Sequence, residues 1–166
     1  ALTIVAIFAF AANSLLCRLA LGEGLIDAAS FTTVRVLSGA ILLLLITLPR
    51  WRSHGRPVFD WRFSAALFTY MAFFSFAYLS LSAGTGALLL FGAVQLTMFS
   101  AAMLGGERLS LPSWVGLTLT VFGLIYLLSP GVTAPDLTGA ILMIVAGIAW
   151  GTYSLLGRKV ADPLQA

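Results

Sequence analysis

Residues 1–21 read ALTIVAIFAFAANSLLCRLAL, and residues 141–161 read ILMIVAGIAWGTYSLLGRKVA. Laid over one another without a gap, the two stretches agree at Leu2, Ile4, Val5, Ala6, Ala9, Ser14, Leu15, Leu16 and Arg18. Aliphatic matches carry little weight between two apolar segments. The weight falls on Ser14 with Ser154, Arg18 with Arg158, and the aromatic pair Phe10 with Trp150. Each stretch is also about as long as the run of roughly 20 apolar residues that spans a bilayer core as a helix. The fold turns on whether both are membrane helices, and on whether the second restarts the pattern of the first.

Composition answers the first question. Of the 166 residues, 60% are hydrophobic and 9% charged, where a globular domain has about half and about a quarter. Six apolar runs, 2–21, 28–48, 63–81, 86–104, 112–128 and 137–156, fill nearly the whole chain. An all-α polytopic membrane protein with six transmembrane helices is expected. The connections GEGLID, PRWRSHGRPVFDWR, SAGT, GGERLSL and SPGVTAPD carry the Gly, Pro, Ser and Asp of turns and helix ends. None is long enough for a soluble domain.

Basic residues orient the bundle. Arg50, Arg52, Arg56 and Arg62 precede or open the third run, Arg108 lies between the fourth and fifth, and Arg158 with Lys159 follows the sixth. All fall on one side, whereas the connections on the other side hold Glu23, Asp27 and Asp136 and no Lys or Arg. Short cytoplasmic connections are enriched in Lys and Arg, which places both termini in the cytoplasm of a bacterial-type inner membrane. The net charge of +3 is thus topological, and nucleic acid is not an expected partner. Asn13 and Arg18 interrupt the first run, no basic region precedes it and no small-residue cleavage site follows, which argues against a signal peptide. Cys17 is the single cysteine, so no internal disulfide framework exists.

If the sixth helix repeats the first, the repeating unit has five helices, and an odd number makes the second copy cross the membrane in the opposite sense. Such inverted repeats are a construction of secondary transporters, with the substrate bound near the midplane. Residues 1–134 are then the first five-helix repeat and residues 135–166 the first helix of a second, truncated one. Four more helices are expected, giving ten in a 5+5 arrangement.

The segment AYLSLSAGTGALLLFGAVQLTMFSAAMLGGERLSLPSWVGLTLTVFGLIYLL, 77–128, resembles the EamA type of the drug/metabolite transporter superfamily. The likeness rests on a Tyr, Ser, Ala and Gly turn at 78–84, a GERLS turn at 106–110, and an aromatic residue and Gly opening the fifth helix at Trp114 and Gly116. VRVLSGAILLL around Arg35 and AWGTYSLLGR around Trp150 are similar to that family's second and sixth helices. Where the family often has Pro in the fourth helix and Trp with Gly in the first, this chain has Val94 and Gln95, and Phe10 and Ala11. The resemblance implies a ten-helix carrier of metabolites such as amino acids, or of drugs, working as an exporter by alternating access.

Polar side chains at bilayer depth are costly and mark sites or helix contacts. Gln95 stands at the centre of the fourth run, either as interhelical glue or as a substrate contact. Asn13 is at similar depth, and the repeat sets it opposite Tyr153, which shares a helix face with Trp150. Ser75, Tyr78 and Ser82 form a stripe at i, i+3 and i+7. Asn13, Gln95, Trp150 and Tyr153 are therefore the expected lining of one midplane cavity, with Ser75 and Tyr78 at its external side, suited to a neutral or zwitterionic solute. Arg18 and Arg35 lie near external helix ends, where pairing with Glu23 or Asp27 is the expected role and a substrate carboxylate the alternative. Gly147 and Gly151 form a GxxxG packing signal.

No convergent His, Asp, Glu, Cys or metal cluster can be assembled, so an enzyme is not expected, nor are a cofactor or metal. His54 stands alone in a connection. No acidic residue, His or Lys occupies the middle of a span, including the Glu that small multidrug resistance proteins carry in their first helix. The expected partners are a small-molecule substrate, the lipid bilayer and the remaining four helices, with a homodimer left open. The alternative is a channel, or a membrane protein whose polar core is purely structural.

Overall fold

A computed structural model describes residues 2–54, 60–129, 135–158 and 160 of the chain. Arg56 and Lys159, counted above, lie outside the described residues, as do the side chains of Arg50, Arg52 and His54. The described residues form six α-helices: α1 Leu2–Gly22, α2 Ala28–His54, α3 Trp61–Ala77, α4 Ala83–Leu104, α5 Leu111–Leu128 and α6 Leu137–Gly157. All of these except α3 are long and apolar enough to cross a membrane.

The helix starts follow local chemistry. An Asp or Ser just before a helix takes up one of the amide donors that the first turn leaves without a partner. Asp27 accepts from the Ser30 amide at 2.9 Å, Asp60 from Arg62 at 2.9 Å, Ser82 from Thr85 at 3.2 Å and Asp136 from Gly139 at 2.7 Å. The Ser30 contacts also hold the exposed Asp27 carboxyl below the usual aspartate range. On several helices, threonine hydroxyls donate to the carbonyl four residues back. Thr33, Thr118, Thr120 and Thr152 do so at 2.8–2.9 Å. Each exposed hydroxyl is thereby satisfied within its own helix, as a hydrocarbon surrounding requires.

Three helices differ from the sequence reading by more than one residue. α2 continues through Pro49 to His54, so part of the basic segment is helical. Ser82 caps α4 so that it starts at Ala83, three residues before the expected start. α3 starts at Trp61 behind its Asp60 cap and ends at Ala77, four residues before Leu81. The helix loosens there into a turn, with Leu79 donating to Phe76 and Ser80 to Ala77 at i to i−3 spacing. Arg18 of α1 takes the freed carbonyls of Tyr78 and Leu79 at 3.0 and 3.1 Å.

α6 is the central helix, packed against α3 and α4, while α2 lies on α3, α5 on α4, and α1 touches α4. Small residues make that centre. α6 buries Gly139, Ala140, Met143, Ala146, Gly147, Ala149 and Gly151. A Cβ on Gly147 would come within 2.7 Å of the Leu90 carbonyl oxygen and 2.6 Å of the Ala93 Cβ. The GxxxG therefore brings two backbones together, as such motifs do in membranes. Large apolar residues point outward all around, from Ile4, Val5 and Phe8 on α1 to Leu119, Phe122 and Ile125 on α5. Such a surface is compatible with lipid and contrary to the polar exterior of a soluble bundle.

Candidate functional site

The polar residues of α1, α2 and α3 meet around one guanidinium. Arg35 is two turns into α2, about 10 Å from the helix start at 1.5 Å per residue. Its Nη2 donates to Asn13 Oδ1 at 3.3 Å and its Nη1 to Ser75 Oγ at 3.5 Å. The same Asn13 oxygen accepts from the Cys17 thiol at 3.8 Å. Ser75 is fully buried and gives its own proton to the Met71 carbonyl at 2.8 Å. The Arg35 head also lies 5.2 Å from the Phe74 ring centre and 5.6 Å from that of Phe31, within reach of cation–π attraction.

An aromatic row runs from this group to α6. Phe74 is 5.3 Å from Tyr70, Tyr70 4.8 Å from Trp150, and Trp150 stacks on Tyr153 at 5.5 Å. Phe10 of α1 meets Trp150 edge-on at 6.1 Å, and Phe63 meets Tyr153 in the same way at 5.8 Å. Tyr70 is buried between Phe74 and Trp150. Asn13, Trp150 and Tyr153 are partly exposed, so the cluster opens onto the surface of this six-helix unit.

Asn13, Ser75, Trp150 and Tyr153 are thus brought together, but two of the expected residues stand elsewhere. Gln95 is exposed and lines a groove of about 590 Å³ between α4 and α5, among Leu88, Phe91, Leu119, Thr120 and Tyr126. The face of α4 that meets α6 is instead that of Leu90, Ala93 and Thr97. Depth along the helix was readable from sequence, whereas the angle around it depends on which neighbour each face finds. Tyr78 is fully buried, packs on Phe74 at 4.8 Å, and donates to the Ala83 carbonyl at 3.3 Å. Its ring fills the space beside Gly86, so it anchors the α3–α4 turn and does not face the cluster's open side. Neither Arg18 nor Arg35 bonds to Glu23 or Asp27. Their acceptors are carbonyls for Arg18 and the Asn13 and Ser75 oxygens for Arg35.

Sequence reasoning passed over Tyr70 and Phe74. Their signal was the spacing of Tyr70, Phe74 and Tyr78 at i, i+4 and i+8, which puts three aromatic rings on one face of α3.

The class defined by these features is coarse: an all-helical bundle whose helices suit a membrane, with a partly buried polar and aromatic cluster between helices. The chain is 53% identical over 163 residues to the uncharacterized protein PA1977 of Pseudomonas aeruginosa. That match covers 98% of this chain, which spans a little over half, 57%, of the relative's length. No family model and no solved structure matches the chain.

Proposed function

We propose that the chain is the first repeat and sixth helix of a ten-helix, inverted-repeat secondary transporter. It exports small organic metabolites across a bacterial inner membrane by alternating access. The observation that carries this reading is the convergence of Asn13, Arg35, Tyr70, Trp150 and Tyr153 from α1, α2, α3 and α6, joined through the Phe74 ring. Polar groups are costly at that depth and commonly serve a substrate path. The EamA-like turns at 78–84 and 106–110 support it. So does the edge-on contact of Phe10 with Trp150, because these are equivalent positions of the two repeats and equivalent residues can touch only at the pseudo-two-fold axis.

Length also agrees. If 163 residues are 57% of the relative, about 120 remain in it, enough for four spans of about 20 residues with short connections. Lys and Arg at one end of the bundle give the N-terminus to the cytoplasm.

The test is export of mass-labelled metabolites from cells carrying the complete gene against cells carrying Trp150→Ala. A saturable efflux lost in the variant at equal protein abundance is expected. A flux proportional to concentration would favour a channel. Loss of folded protein in step with loss of efflux would assign the cluster a structural role.

A further inference from the structure

We propose that Arg35 is the anchor for a carboxylate on the transported solute, and that the solute is an organic acid whose apolar or aromatic body lies along the row Phe74, Tyr70 and Trp150. This rests on the transport reading and narrows its substrate class.

A guanidinium stays charged at any physiological pH and presents five N–H donors in a planar fork that matches a carboxylate. Within a bilayer such a charge is normally paired. Here its hydrogen bonds are two, at 3.3 and 3.5 Å, both longer than the roughly 2.7–3.2 Å of a good N–H···O bond. Both acceptors are neutral, and Ser75 is already committed to the Met71 carbonyl. No carboxylate is within salt-bridge distance among the described residues. Asp27, the acid nearest to Arg35 along the chain, is engaged at the N-terminus of α2 by Ser30, about 12 Å away at 1.5 Å per residue.

The contrast with Arg18 sharpens the point. Arg18 makes two bonds of 3.0 and 3.1 Å to the carbonyls that end α3, where a cation also meets the negative end of the helix dipole. Its role is complete. Arg35 is held from behind by two ring faces and from the side by two neutral oxygens, leaving part of the fork for a ligand. The adjoining rings of Tyr70, Trp150 and Tyr153 offer flat surface to an apolar body and bring no formal charge of their own.

The test uses the complete protein, purified in detergent, with acetate, benzoate and 3-phenylpropanoate as probes beside the corresponding primary amides. Ligands that bind the folded state raise its unfolding midpoint. The acids are expected to raise it saturably, 3-phenylpropanoate most, and the amides to leave it unchanged. Arg35→Gln should weaken acid binding at least tenfold, and Arg35→Lys should restore part of it, since a point charge lacks the fork. Acids without effect, as when a carboxylate from a further helix occupies the fork, overturn the proposal. Equal binding of acids and amides does the same. The wild-type comparison of acid with amide decides even if Arg35→Gln fails to fold. Acid binding without flux in proteoliposomes would sink the transport reading and leave the anion site. Saturable amide flux unchanged in Arg35→Gln would do the reverse.

Discussion

At the scale of single residues, the two arginines of the apolar region show why charge in a membrane helix needs geometry to interpret. Arg18 stabilises the end of α3, so Arg18→Leu should leave the Tyr78 and Leu79 carbonyls without a donor and cost about 1–3 kcal/mol. The unfolding midpoint measures this, and solute binding per folded molecule should stay unchanged. Gln95 gives the opposite contrast. It faces the α4–α5 groove, so Gln95→Leu should preserve solute flux, whereas Trp150→Ala should abolish most of it at equal abundance. Equal losses in both variants would return Gln95 to the substrate path. The placing of Asn13, Trp150 and Tyr153 within helices was legible in the sequence because the apolar runs mark those helices. The acceptors of Arg18 were not, because a backbone carbonyl freed at a helix end has no letter of its own. Nor was the side of α4 on which Gln95 would fall.

At the scale of elements, the difference between α6 and α5 is one of packing and not of apolarity. Both are apolar throughout, yet α6 is flanked by α3 and α4 while α5 rests on α4 and buries no residue. The GxxxG of α6 announced this in the sequence, since close approach of backbones is what two glycines one turn apart allow. Gly147→Leu should therefore force α6 from α4, where even a Cβ already meets the Leu90 carbonyl oxygen and the Ala93 Cβ. Overpacking of this kind costs about 1–3 kcal/mol, and the added bulk should show as lost resistance to detergent unfolding. A change of the same kind at Gly123 on α5, whose Cβ position is open, should be nearly silent. The element that sequence reading drew least well is α3. Its run of apolar letters continues to Leu81, but the helical hydrogen bonds give way after Ala77. Tertiary contacts from Arg18 decide that end, and hydropathy does not record them.

At the scale of the whole molecule, the strongest remaining inference concerns the symmetry that the two opening stretches imply. If a five-helix unit is repeated in inverted orientation, equivalent residues that touch lie at the pseudo-two-fold axis, and the Phe10 and Trp150 rings, equivalent in the alignment, are 6.1 Å apart. Under the proposed repeat the same operation would relate Arg18 to Arg158. Arg18 closes the carbonyl end of α3 near the acidic end of the bundle, so Arg158, at the basic end, should close the carbonyl end of an eighth helix. Orientation is checked first: a cytoplasmic reporter is expected to be active after Arg56, Arg108 or Lys159, and a periplasmic one after Asp27, Gly84 or Thr133. The reverse pattern would refute the assignment from Lys and Arg. Given that orientation, the complete gene should encode about four further apolar spans. Arg158→Leu in its product should then destabilise the fold to an extent comparable with Arg18→Leu, since each removes donors from the end of a third helix in its own repeat. A stop codon directly after Ala166 in the native gene, or a silent Arg158→Leu beside a damaging Arg18→Leu, would break the symmetry. The shared SLL and Arg of 14–18 and 154–158 would then reduce to chance agreement between two apolar helices.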